Sequence, residues 1–319
     1  MHWFEQLAAL YSEQDIPLFH DIMLTAILID ISSGGQLISI TKSRCSTVIP
    51  VTETSACRTR NIAPHPLCDT VQNLTEPKRR SAYLDYLEKW AHSQYGGNQL
   101  KAVLRYIESE TLAADLALAE IEYSQHSMVR FAVDGTELCG NAALINSHIA
   151  FTRLSAAEIG ICSISGKVAA LGTLHPKRIV SHTSSAKLIS GCRSNKLCHG
   201  RFNGAQQAFT VGRELSFRAH AVLKRLISQN GLCIESFSFI AFDENGTALP
   251  LPLMGKTAIP HGNVTILCLL ETAKGRLSVL LYRQLSGERY SIILQQPYAP
   301  LPQRHKGYYY ERLLSGILI

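Results

Sequence analysis

No CxxC pair occurs among the nine cysteines of this 319-residue chain, which stand at 45, 57, 68, 139, 162, 192, 198, 233 and 268. That scatter excludes a zinc ribbon and a thioredoxin-type redox motif. The tightest group, Cys192, Cys198 and His199, lacks a second pair at ligand spacing. No metal site is expected, and the thiols read as inert residues of a reducing compartment. GxxxxGK[ST], GxGxxG, HExxH and GxSxG are all missing, which removes the common sequence signatures of nucleotide binding, zinc proteolysis and serine hydrolysis. The longest early apolar run, Ile22–Ile31, is too short to cross a bilayer and contains Asp30. No basic leader precedes an apolar core, so a cytoplasmic protein with no membrane partner is expected.

Acidic residues are the next scarcity. Between Gly166 and Asn230 there is one acid, Glu214, against eleven Lys or Arg, a local charge of +10 in a chain whose total is +6. Like charges repel across a shared surface, and a polyanion is the usual compensation, most often nucleic acid. A solvated basic face is the alternative. A second basic stretch, Lys42–Arg80, has seven bases against three acids. Met1–Thr41 has five acids and no base, and Ala102–Ser165 has eight acids against three bases.

The apolar fraction of 46% fits a globular chain, and its length suits about two domains or one elaborate one. Apolar residues at helical spacing predict helices over His2–Gln14, Arg79–Ser93, Asn98–Ser109, Ala113–Glu122, Cys139–Leu154 and Val211–Gln229. Ile22–Ile31 and Gln36–Thr41 flank Ser32-Ser33-Gly34-Gly35 as a hairpin, and Ser46–Val51 reads as a further strand. Thr52–Pro77 has loop chemistry throughout, a length that in compact domains is usually functional or disordered. Strands are expected at Met128–Val133, in a hairpin spanning Ile159–Leu171, and at Cys233–Phe242, Val264–Leu270 and Leu277–Tyr282. The Tyr308-Tyr309-Tyr310 run leads into a short terminal helix, where core packing is favoured over base stacking. With no βαβ alternation, the expected fold is irregular α+β, with short antiparallel sheets or hairpins and several helices. The expected division is residues 1–125, carrying the loop at 52–77, and residues 126–319, carrying the basic stretch at 166–230.

Catalytic chemistry is hard to find. Asp134 and Glu137 pair two carboxylates, which a hairpin tip explains. His175 could serve as a base, yet no nucleophile or orienting acid lies nearby in sequence. The chain is expected to be no enzyme, with no catalytic residues and no cofactor. Two other readings stay open: a free-standing nuclease using His175, and a plain basic RNA-binding module.

Several stretches resemble one family. Val48-Ile49-Pro50 with Arg58-Thr59-Arg60-Asn61-Ile62-Ala63-Pro64-His65-Pro66-Leu67-Cys68-Asp69 resembles the "VP…RTSGIAPNFLCD" block of the type I-C CRISPR Cascade large subunit, the Csd or Cas-eight-c family. Leu100–Glu108 is similar to its "LKALLRFLE", and Met128–Asp134 to its "ILFRVDG". Cys162–Gly166 with Leu174–Lys177, and then Ser184–Ser190, follow its "C.VTG…LHPKI" and "SSGASLVSF" in order. The blocks cover roughly residues 1–230. Two departures stand out: Gly191–Lys196 replaces the family's "FN…AF.SYG", and the helical C-terminal region that also gives rise to a small subunit is missing. A shortened form is therefore expected.

The resemblance implies a non-catalytic subunit of an RNA-guided complex, partnered with CRISPR RNA, target double-stranded DNA, Cascade backbone subunits and a helicase-nuclease. In such machines base pairing reads most of the sequence, while protein reads a short adjacent duplex motif. Arg58, Arg60 and Asn61, in a loop stiffened by Pro64 and Pro66, are the candidates for reading that motif, since Arg and Asn suit base edges. Lys78, Arg79 and Arg80 start a helix, where cations oppose the dipole and a phosphate would relieve them. Lys177, Arg178, Lys187, Arg193, Lys196 and Arg201 lie in polar sequence suited to tracking a phosphate backbone. If about six such residues bind phosphates, log affinity should fall against log salt with a slope near −5.

Overall fold

A computed structural model describes residues 3–58, 62–155, 157–180, 185–189, 209–251, 256, 258–272 and 275–295. The fold is mixed α+β, as the sequence predicts. It is organised around two sheets, each with helices on its buried face.

The first sheet begins with a long antiparallel hairpin, β1 (His20–Ile31) and β2 (Leu37–Pro50). Gly35 at the turn adopts a φ of +89°, and a Cβ there would lie 2.9 Å from the Cβ of Arg105, so the tip admits no larger residue. The strand predicted at Ser46–Val51 is the far end of β2 and not a separate element, because Met23, Leu24 and Thr25 continue the pairing past the shift that follows Thr25. Two further strands complete the sheet, β3 (Cys68–Thr70) and β4 (Met128–Val133), in the order β2-β1-β4-β3. Strand β4 lies parallel to β1, and the two-residue β5 (Thr136–Glu137) folds back on it through a turn at Asp134-Gly135. The paired carboxylates thus belong to a hairpin: Asp134 accepts from Ser33 N–H, and Glu137 pairs with Arg130. Ile27, Ile29, Ile31, Val129, Phe131 and Val133 point into one core.

Thr52–Pro77, predicted as loop, contains three short elements: α2 (Glu53–Ala56), β3 and α3 (Val71–Thr75). Thr52 caps α2 in a reciprocal pair with Ser55, and Thr70 caps α3 through Asn73 N–H. Pieces of three to five residues carry too little periodicity to be read from sequence. Helices α4 (Pro77–Ala91), α5 (Asn98–Glu108) and α6 (Leu112–Leu118) follow. Pro77 opens α4, where its missing N–H costs nothing. Tyr83, Leu87 and Trp90 of α4, with Leu100, Val103, Tyr106 and Ile107 of α5, cover the sheet. Helix α7 (Ala142–Leu154), capped by Asn141, stacks Phe151 on Trp90.

A small hairpin, β6 (Ile159–Ile161) and β7 (Val168–Ala170), leads by way of the basic stretch to α8 (Arg213–Asn230). The second sheet follows in the order β10-β9-β11-β12, formed by β9 (Phe237–Asp243), β10 (Ala248–Leu249), β11 (Asn263–Thr272) and β12 (Arg276–Ser286), with β8 (Leu232–Ile234) also on β9. Strands β9 and β11 are buried on both faces and so read as continuous apolar runs. On one face Ile240, Phe242, Leu267 and Leu269 meet Ala219, Val222, Leu223 and Leu226 of α8. On the other, Phe239, Ile266 and Cys268 meet Tyr290 and Ile293 of α9 (Gly287–Gln295). The opening helix α1 (Trp3–Ala9) sets Phe4 and Leu7 into the α8 core, while β4 completes the first sheet. Each core therefore draws on both sides of residue 125. The Tyr308–Tyr310 run and the predicted terminal helix lie outside the described residues.

Five histidines are buried in or between these layers: His20, His65, His148, His175 and His220. Burial holds His20 and His175 at a pKa of about 4 and His65 and His220 at about 3, and it lowers His148 in the same direction. Between those values and the ordinary imidazole pKa of about 6.5, the unfolded chain binds protons that the folded chain refuses. Stability is thus fully present above about pH 6.5 and is lost as pH falls toward 4. Thermal unfolding between about pH 7.5 and pH 5 should show a falling midpoint, with uptake of about three or more protons. A flat midpoint would mean that these rings are open to solvent in the folded state.

Candidate nucleic-acid interface

The chain between β2 and α3 is tied to one carboxylate. Asp69 on β3 has no exposed surface. Its Oδ2 accepts from Arg58 Nη1 at 2.8 Å and from His65 N–H at 2.7 Å. Its Oδ1 accepts from Asn73 Nδ2 and from Thr70 N–H, each at 2.7 Å. A buried carboxylate requires such donors, because none of its hydration survives. Arg58 Nη1 donates also to the carbonyl of Ala63, bridging both flanks of residues 59–61. Burial first, then the Arg58 charge, keeps His65 neutral, so the cluster holds one anion against one cation.

Arg58, read from sequence as one of three candidates for reading the motif, is therefore turned toward Asp69. The physical reason is the carboxylate: leaving it unpaired in the interior would cost more than holding the guanidinium in place. Arg60 and Asn61 lie outside the described residues, as do Arg193, Lys196 and Arg201.

The basic stretch meets this cluster. Cys57 Sγ donates to the carbonyl of His175, and Arg178 Nη2 donates to the carbonyl of Arg58 at 3.3 Å. Arg178 holds a φ of 58°, in the left-handed region. Lys177 and Lys187 sit opposite one another in an antiparallel bridge. Burial lowers the Lys177 ammonium pKa, and the Lys187 charge lowers it further. The structure thus brings Arg58, Lys177, Arg178 and Lys187 together.

Four of the eleven bases between Gly166 and Asn230 are answered by acids within the protein. Lys224 pairs with Asp21 at 2.9 Å and Arg225 with Asp15 at 2.7 Å. Arg213 faces Glu53 at 3.8 Å, donates to Thr152 and Ser155, and lies over the Phe19 ring. Glu214 takes both Arg153 and Arg218. The acid-rich opening of the chain neutralises much of α8. Lys167, Lys177, Arg178 and Lys187 have no acidic partner among the described residues.

The third candidate group touches the Asp69 cluster through Asn73, which donates to Asp69 and accepts from Arg79. Arg79 pairs with Glu76 and donates to Asn73, Arg80 pairs with Glu110, and Lys78 is exposed. Glu76 immediately precedes α4, so an acid of the protein relieves the dipole conflict there. His175 is buried, hydrogen-bonded through Nδ1 to Ser216 Oγ at 2.8 Å and stacked on His220. Among the described residues no three His, Cys, Asp or Glu stand together as a metal site, and no helix is long and apolar enough to cross a membrane. A cavity of about 1070 Å³ lies between the outer face of β1 and α8, lined by Ile22, Leu24, Ile179 and Val222, among others. Asp15, Asp21, Arg178, Lys224 and Arg225 also line it.

Sequence reasoning missed Asp69 because its donors, on both sides of it in sequence and one to eleven residues away, converge on it only once β3 and α3 have formed. The signal within reach was its position at the end of an extended polar segment rich in donors. Asp69→Ala should cost about 3–5 kcal/mol by chemical denaturation, as removing one partner of a buried pair does. Arg80→Ala, breaking a pair whose acid is largely exposed, should cost under about 1 kcal/mol. Equal losses would contradict the central place given to Asp69.

The family model described as CRISPR-associated protein (Cas_Csd1) matches residues 7–299. The match spans both sheets and every candidate residue named above. No curated protein matches the chain. With nearly its whole length covered, the chain belongs to the Cas_Csd1 family of CRISPR-associated proteins.

Proposed function

We propose that this protein is the non-catalytic large subunit of a type I-C-like Cascade. In this reading it acts in the cytoplasm with CRISPR RNA, the backbone subunits and target duplex DNA. It inspects the protospacer-adjacent motif, aids duplex opening and R-loop formation, and contributes to recruiting a helicase-nuclease. Family membership supports a CRISPR-associated role. The observation that carries the DNA-contact reading is the meeting of the Arg58 segment with Lys177, Arg178 and Lys187, cations that the protein's own acids leave unanswered.

The division of labour follows from chemistry. Arg58 positions the segment by holding Asp69 and Ala63, and Arg60 and Asn61 are the groups that read base edges. Lys177, Arg178 and Lys187 hold phosphates and carry no sequence information. Lys78, Arg79, Arg80, Arg193, Lys196 and Arg201 are proposed as further backbone contacts, with Arg79 and Arg80 exchanging their acids for phosphate.

Reconstitution with a type I-C backbone complex and guide RNA tests the reading. Scrambling the flanking motif should weaken duplex binding at least about tenfold, and Arg60→Ala with Asn61→Ala should erase that difference, as removal of a bidentate hydrogen bond to a base, worth about 1–3 kcal/mol, implies. The duplex should stay intact with divalent metal present. Cleavage, or indifference to the motif in the unaltered complex, would overturn the proposal.

A further inference from the structure

Strand β12 opens at Arg276, and a segment of the basic stretch lies along its edge. Lys187 N–H donates to the carbonyl of Gly275 at 3.1 Å, and Leu277 N–H donates to the carbonyl of Lys187 at 2.9 Å. These bonds set Lys187 beside Arg276 in parallel register, while Lys177 pairs with Lys187 in antiparallel register. Residues directly paired across neighbouring strands present their side chains on one face, with Cβ atoms about 4.5–5.5 Å apart. Three cations therefore stand in a row across three chain segments.

Such a row is unfavourable by itself, because like charges opposite one another destabilise a sheet. The ion pairs that neutralise α8 do not extend to it: none of the three has an acidic partner among the described residues. Arg276 is exposed, and Lys177 and Lys187 are half-exposed. The row also adjoins the Arg58 segment. Burial raises the thiol pKa of Cys57, the residue before Arg58, and Lys187 and Lys177 lie close enough to oppose that rise.

We infer that Lys177, Lys187 and Arg276 form a rail for the phosphodiester backbone of duplex DNA, beside the segment proposed to read its motif. The inference rests on the large-subunit reading and extends it to Arg276, which lies outside the basic stretch at 166–230. A rail of this kind sets register and affinity without reading sequence. In the complex, phosphates lying along the row would neutralise the three cations and so lower their mutual repulsion.

The test is the salt dependence of duplex binding by the reconstituted complex. Replacing all three residues by glutamine (K177Q, K187Q and R276Q) should make the log–log slope shallower by about 2.7, near 0.9 for each phosphate that is no longer neutralised. Motif discrimination should stay at its unaltered value. The charge-preserving set K177R, K187R and R276K should keep the original slope. Single glutamine variants, each worth about 0.9, keep the test open if the triple variant fails to fold. An unchanged duplex slope in a folded glutamine variant overturns the rail, as does a slope change seen only with single-stranded RNA. Loss of motif discrimination in the unaltered complex would instead sink the large-subunit reading, and the slope comparison would still judge the rail.

Discussion

Asp69 carries a charge with no exposed surface, and four donors from Arg58, His65, Thr70 and Asn73 surround it. A charge in that position is tolerated only where the geometry answers each lone pair. Because β3 hydrogen-bonds to β4, the carboxylate is fixed to the first sheet, and whatever binds it is fixed there too. Arg58 is so fixed, and through Arg58 both flanks of residues 59–61 are held to the body of the protein. Restricting the flanks of a segment lowers the entropy that it loses on engaging a partner. The same arginine offers its carbonyl to Arg178, which ties the cluster to the basic stretch.

Charge is the second organising constraint. The sorting of acids and bases along the chain looks, in sequence, like a demand for a polyanion. In three dimensions part of it is met by acids elsewhere in the chain. Asp15 and Asp21 meet Arg225 and Lys224 across more than two hundred residues of sequence, and Glu53 faces Arg213. Such partly exposed pairs each add little to stability. Among the described residues of that stretch, Lys167, Lys177, Arg178 and Lys187 keep no acidic partner, and Arg276 stands beside Lys187 in a parallel bridge. That residue of unanswered charge is a sharper indication of a binding surface than the crude +10.

Legibility in the sequence followed element length and range. β1, α4, α5, α8 and β11 announce themselves through periodicity, and the structure forms them close to the predicted bounds, whereas β2 runs on through the strand predicted separately at Ser46–Val51, and the strand predicted at Cys233–Phe242 is split into β8 and β9. The short elements within 52–77 do not, because capping and one buried carboxylate order them, and neither leaves a repeat. The packing of α1 on α8 and the return of β4 to the first sheet are long-range events that local pattern cannot supply. At the site, residue type pointed to the correct stretches of chain but not to the roles within them. Arg58 reads as an exposed donor until Asp69 is seen eleven residues on.

The most direct measurement is motif discrimination by a reconstituted complex carrying a folded Asp69→Asn protein, measured alongside its salt slope. The account predicts that discrimination collapses while the slope is retained, because the reading segment loses its anchor and the phosphate-binding cations keep theirs. Discrimination equal to that of the unaltered protein would contradict it.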